Sequence, residues 1–463
     1  MSNPHLQHLL QLAELPAANA EAVEISGPDR ILPTPWQFVG PGAACIAATG
    51  LAAAQLWQLK TGRMQSVSLS MHAAAAALRS PRYLTIDGNR PSEEPTSLTD
   101  FYQLKDQRWV YLHCNFPNVR DGNLSAVGAP ADKAAVVKAI AKHDGPKLEA
   151  AMFDAGGCGG FIRNEHEWET LAQQKSVAQL PLFEIVQIGD APPQPLPEGD
   201  RPLSGVRMLD LTRVLAGPSC AKAFAEHGAD VLRVTRKDLP DLGPPQDVDT
   251  GIGKLQTHID MRDAAQGQTM QELVRNCDVF LQGYRPGALA ARGLSPQALA
   301  KIRPGIICTE LSAWGHTGSW SGKRGYDTVV QAFNGMAWRP DNQRPVFLPA
   351  SPHDYIAGYV LAFATMVALH RRATVGGSWL VRTSLAGAGE WLRSLGQLPP
   401  DEYQHLPAEF SDDVLAPLLM EHDSAWGRVG HLAPAVQLSE TPGRWARPAA
   451  PRGSHPPQWP ARA

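Results

Sequence analysis

From Gly205 onward, short apolar runs alternate with stretches of helical period. Residues 206–211 (V-R-M-L-D-L) read as a buried strand. Gly217-Pro218 then opens a helical run over 219–227 that stops at Gly228. Proline near the start and glycine past the end are the placements a helix tolerates best. Residues 229–234 (A-D-V-L-R-V) form the next strand, completing a βαβ unit with a right-handed parallel crossover. The alternation continues with a helix over 269–276, a strand over 278–281, a serine-capped helix over 295–302 and a strand over 306–311. Such alternation predicts an α/β fold with a doubly wound parallel (Rossmann-like) sheet.

A repeat joins two distant parts of the chain. Residues 43–80 and 357–394 each read as an Ala-rich helix, a glycine turn, a short strand and a helix ending in Leu-Arg-Ser. Gly62 aligns with Gly376 and Val67 with Val381 at a constant offset. Between the copies the texture changes. Trp109–Leu112 reads as a strand, and 132–142 and 166–175 read as helices. The chain therefore divides into a partial sheet and helix segment over 1–94, a degenerate repeat of 354–395. A smaller α+β domain over 95–200 follows, then the sheet domain over 203–395 and a C-terminal tail over 396–463. Residues 191–202 are a proline-rich linker. Residues 444–463 have no helical or strand period and read as an extended or partly disordered tail.

Composition narrows the function classes. A net charge of -3 leaves no excess of basic residues to form the stripe of a nucleic-acid binder. No apolar run reads as reaching the roughly 18 residues of a membrane span. The N-terminus, M-S-N-P-H-L-Q-H-L-L, lacks the charged and apolar regions of a signal peptide, so the protein is expected in the cytoplasm. The six cysteines are far apart with no C-x-x-C pair, which argues against a metal site and a disulfide framework. No G-x-G-x-x-G fingerprint follows the first strand, which counts against a nicotinamide-dependent oxidoreductase on the same sheet.

Asp354 stands ahead of Gly358 and a long Ala-rich helix. Read from its neighbours alone it is an ordinary helix cap. Four segments and this aspartate, in order, change that reading: G-V-R-M-L-D-L-T-R-V-L-A-G-P at 205–218, G-A-D-V-L-R-V at 228–234, Q-G-Y-R-P-G at 282–287, and Gly325-Tyr326-Asp327 followed by Gln331-Ala332 and Gly335. Together they resemble the class III coenzyme A-transferase (CaiB/BaiF) family, strongly over 205–395 and moderately over 35–200.

The resemblance implies a CoA-transferase that moves CoA from an acyl-CoA thioester to a carboxylic acid, with no permanently bound cofactor. Asp354 would be the nucleophile, forming an aspartyl anhydride and then an aspartyl-CoA thioester, a split of one hard step into easier ones. Its place at a helix start would let helical N–H groups support the anion. Val214, Leu215 and Ala216 would offer backbone N–H groups to CoA, and Arg236 a planar phosphate contact. Gly283 and Tyr284 would face adenine and pantetheine, with Arg292 and Arg324 as further cations and Tyr326 beside the thioester. A tyrosine, with its ordinary pKa near 10, is a poor base where racemases of the same fold carry a histidine. A racemase or isomerase, and a non-catalytic CoA-binding subunit, are the alternatives.

The order of parts departs from the family, in which the sheet domain comes first and the small domain follows. The first repeat has Gly40-Pro41 where the second has Asp354, so one site per chain is expected. The resemblance further implies a homodimer, interlocked in the family.

Overall fold

The computed structural model describes residues 3–91, 98–240 and 243–461. Its centre is a seven-stranded sheet. The strands are β1 (Phe183–Gly189), β2 (Arg207–Leu211), β3 (Asp230–Thr235), β4 (Leu255–His258), β5 (Val279–Gln282), β6 (Ile307–Ser312) and β7 (Ser378–Ser384). They run in the order β4-β3-β2-β5-β6-β7-β1. All neighbours are parallel except β1, which closes one edge antiparallel to β7.

The strands read as near-continuous apolar runs because both faces are buried. Met208, Val231, Val279, Leu281 and Val381 join one core. Their neighbours Leu209, Leu232, Phe280 and Leu380 join another on the opposite face. On the first face lie three helices, α1 (Val39–Thr61), α2 (Ala216–Glu226) and α4 (Pro352–Thr374). α3 (Asp327–Phe333) and α5 (Leu385–Ser394) complete the surroundings of the site. α4 packs on both α1 and α2. Gly358 makes the second contact possible, since a Cβ there would sit 2.5 Å from the Ala216 carbonyl oxygen.

α1 is long and apolar enough to cross a bilayer by length and composition, contrary to the sequence reading. It is a buried core helix, with 89% of its most apolar window inside the protein.

The two repeats share their element order. α1 is followed by strand Val67–Ser70 and helix Met71–Ala77, as α4 is followed by β7 and α5. Val67–Ser70 does not enter the large sheet. It lies between Val23–Ser26, parallel, and Val436–Leu438, antiparallel.

The segment 100–161 forms a three-stranded antiparallel sheet from Asp100–Gln103, Trp109–Leu112 and Gly159–Phe161. Residues 183–189, assigned from sequence to this part of the chain, instead supply the edge strand of the large sheet. The helix expected over 166–175 is two shorter ones, Glu165–Glu169 and Ala172–Ala178.

The stretch 396–463 is more than a tail. Leu419–Ser424 and Gly427–Leu432 form a hairpin that pairs with Thr85–Ile86. Residues 444–461 carry no strand or helix but are tied along the sheet. Gly253 N–H donates to the Arg447 carbonyl at 3.0 Å, and Trp459 Nε1 to the Leu273 carbonyl at 3.0 Å.

Candidate functional site

A cavity of about 410 Å³ opens where the loops after β2, β3, β5 and β6 converge. In an open parallel sheet, ligands bind at this carboxyl end of the strands. The β2 loop contributes Thr212, Arg213, Val214 and Ala216, and Arg236 follows β3. Gly283, Tyr284 and Arg285 follow β5. Lys323, Arg324 and Tyr326 line it from the segment before α3, and Asp354 from the first turn of α4.

The β2 loop is strained and braced. Val214 has φ of 71°, a left-handed conformation that costs a β-branched residue free energy and marks functional loops. Asp210, fully buried in β2, accepts the Thr212 N–H at 2.9 Å and the Lys254 ammonium at 3.0 Å. Lys254 also donates to the Pro218 carbonyl at 2.8 Å, tying the start of α2 to the strand. Burial pulls the Lys254 ammonium down to about 8, with Asp210 opposing. An unpaired charge there would be untenable, so the pair holds the loop only as a pair.

Asp354 is 5% exposed. Its backbone N–H and that of His353 both donate to Asp327 Oδ2, at 3.1 and 2.8 Å. Asp327, the first residue of α3, therefore supplies the cap of α4, and the Gln331 amide donates to it as well. This corrects two expectations. Asp354 is not the helix cap, and the amides expected to support its anion are already engaged.

Burial, and then the Asp327 charge, holds the Asp354 carboxyl well above the usual carboxylate range. The balance follows from magnitudes. A helix dipole stabilises an anion by about 0.3–1 kcal/mol, whereas burying a carboxylate costs several kcal/mol. His353 is turned away from the cavity; its ring meets Asp327 at 3.3 Å and the Asn334 amide at 3.1 Å.

Of the ten residues singled out from sequence, the cavity gathers eight: Val214, Ala216, Arg236, Gly283, Tyr284, Arg324, Tyr326 and Asp354. Leu215 is not among the lining residues; its side chain is buried in the core beneath the loop. Arg292 lies outside as well, in an exposed turn where it donates to the Met261 carbonyl at 3.2 Å. Arg324 donates to the Gly156 carbonyl, at the start of the glycine-rich run over 156–160. Arg236 pairs with Asp238.

Sequence reasoning missed Arg213, Arg285 and Lys323, which also line the cavity. The first two lay inside motifs that were noted for other residues. It also missed Asp210 with Lys254, whose one signal was a carboxylate inside an apolar strand run. The result is a cavity with five cationic side chains and, among the described residues, one carboxylate, Asp354. Among the described residues no histidine lines it, and no group of three or more His, Cys, Asp or Glu could hold a metal ion.

Comparison with known proteins gives a consistent set of similarities. The profile of CoA-transferase family III matches residues 203–397. An acyl-CoA transferase of Gibberella moniliformis is 27% identical over 384 residues, covering 75% of this chain and 67% of its own length. The succinyl-CoA:glutarate CoA-transferase of Homo sapiens is 33% identical over 189 residues, covering 38% of this chain and 43% of its own. The structure of a CAIB/BAIF family protein from Brucella suis aligns with 42% of this chain and 56% of its own, at 26% identity and a TM-score of 0.39. The chain thus spans between 43% and 67% of the lengths of these two curated relatives.

Proposed function

We propose that this chain transfers CoA from an acyl-CoA thioester to a carboxylic acid through Asp354, a reading supported by the match of residues 203–397 to the profile of CoA-transferase family III. The observation that carries this reading is the cavity's charge pattern: among the described residues, five cationic side chains and one buried carboxylate line it. Coenzyme A brings a diphosphate and a 3′-phosphate, and a cluster of Arg and Lys suits them.

In the proposed sequence, an Asp354 carboxylate oxygen attacks the thioester carbonyl carbon. The C–S bond breaks, CoA leaves as thiolate and an acyl-aspartyl anhydride forms. The thiolate then attacks the Asp354 carbonyl of that anhydride, releasing the donor acid and leaving an aspartyl-CoA thioester. The acceptor carboxylate attacks this thioester, and the same two exchanges run in reverse. Burial favours the reaction because a desolvated carboxylate is a stronger nucleophile than a hydrated one, and the cations lining the cavity stabilise negative charge that develops in a water-poor site. A racemase of the same fold would need a second base at the α-carbon. By the family resemblance Tyr326 takes the place at which racemases carry a histidine, and a phenol serves poorly as a base at neutral pH.

The reading takes the large sheet as a doubly wound scaffold, with the segment 100–161 as a second unit, and extends to a cytoplasmic homodimer. The decisive test is trapping. Incubation with an acyl-CoA and hydroxylamine should convert Asp354 to a hydroxamate detectable by mass spectrometry. Absence of the adduct across a broad acyl-CoA panel overturns the mechanism.

A further inference from the structure

One wall of the cavity comes from outside residues 203–397. Phe116, 4% exposed, lines it from the segment between strand Trp109–Leu112 and helix Pro117–Val127. Its ring stacks on Tyr326 with 5.5 Å between centroids and 21° between planes. The Arg213 guanidinium lies 5.3 Å from the same ring. His113, three residues earlier in the chain, stacks on Tyr326 at 4.1 Å and 20°. Tyr326 is therefore oriented by two rings that the large sheet does not supply.

The segment bearing those rings is anchored. Asn123 donates to the carbonyls of His113 and Cys158, at 3.0 and 2.9 Å, and accepts the Cys158 N–H at 2.9 Å. The Phe116 carbonyl accepts the amides of Val119 and Arg120 at 3.0 and 2.9 Å. These bonds fix the backbone that carries Phe116, and its ring is held between Tyr326 and Arg213. An aromatic wall held on both sides selects by size.

Taking the CoA-transferase reading as given, we propose that Phe116 determines which acyl chains the cavity admits, and that His113 is a positioning residue for Tyr326. Leu311 and Leu385 also line the cavity, so the favoured donor is a short, apolar acyl-CoA. Hydrophobic pockets discriminate by about 10- to 200-fold per methylene, which sets the scale of the effect.

The test compares the full-length chain with F116A, F116L, H113A and H113F across straight-chain thioesters from acetyl- to octanoyl-CoA. F116A should raise kcat/KM for octanoyl-CoA relative to acetyl-CoA by at least about tenfold, and F116L by less. H113A should lower kcat for every thioester without reordering them, and H113F, which keeps a ring there, should restore it. An unchanged chain-length order in F116A overturns the assignment of Phe116 while leaving the CoA-transferase reading intact. If F116A does not fold, F116L carries the comparison. A protein that binds acyl-CoAs but transfers none refutes the CoA-transferase reading, and the chain-length dependence of binding still decides Phe116. Binding of no thioester at all overturns both.

Discussion

Asp327 Oδ2 accepts the backbone N–H of Asp354 at 3.1 Å, so the carboxylate at the start of one helix caps the helix that carries the other. The pairing has two consequences. It fixes the first turn of α4, and it places a second negative charge near a buried acid. Asp327→Asn should therefore weaken the cap, by about 1 kcal/mol, and remove one cause of the raised Asp354 carboxyl. The acid limb of kcat/KM should move to lower pH in this variant. An unmoved limb would mean that burial alone sets it.

The pH dependence of the wild type follows from the same carboxyl. Its pKa is raised, and the anion is the proposed nucleophile. Activity should be present at high pH and fall as pH drops, with a midpoint above the ordinary aspartate value near 4. A profile flat down to that value would contradict the raised carboxyl.

Asp354→Ala should reduce transfer by about a thousandfold or more, the scale on which enzymes lose rate with their nucleophile. Because Asp354 is not the cap, and because a buried carboxyl is costly, thermal stability should hold or rise. Isothermal titration should still find CoA binding. Retained turnover would remove Asp354 from the mechanism.

Lys254→Met isolates the buried Asp210. Breaking one partner of a buried pair costs about 3–5 kcal/mol, measurable as a lower urea midpoint. The double variant Lys254→Met/Asp210→Asn should recover part of that loss, since no charge is then left unpaired.

Buried histidines make the fold acid-sensitive. Burial pushes His113 and His227 each down to about 3, and it lowers the facing pair His422 and His431 too. A base whose folded value lies below its unfolded value near 6.5 takes up protons on unfolding. The stability these groups contribute is full above pH 6.5 and is lost as pH falls toward their folded values. The urea midpoint should fall between pH 7.5 and pH 5, and less steeply in His431→Gln. Equal slopes in both proteins would clear His431 of the effect.

Much of the large sheet was legible because parallel strands buried on both faces leave long apolar runs, as in 206–211 and 306–311. β4 was not, since Leu255–His258 interleaves Gln256 and His258 with its apolar positions. β1 was misplaced because nothing in Phe183–Gly189 marks an antiparallel edge. The cavity could be read where motifs name backbone positions, as at Val214 and Gly283. It could not be read where a side chain's direction decides, and so Leu215 points into the core and Arg292 away from the site. The Asp327 cap and the Phe116 wall are contacts between residues far apart in the chain, and local pattern carries no trace of such contacts.

Strand Val67–Ser70 is flanked by Val23–Ser26 on one side and Val436–Leu438 on the other. The early and late parts of the chain thus shield each other's backbone. A shortened chain ending before Val436 would bare one flank of that strand, with unpaired N–H and C=O groups ready to recruit a neighbouring molecule. Until residues 436–438 are synthesised, Val67–Ser70 has one unpaired flank. It gains this second partner only once they are made, and a chain lacking them would be prone to self-association.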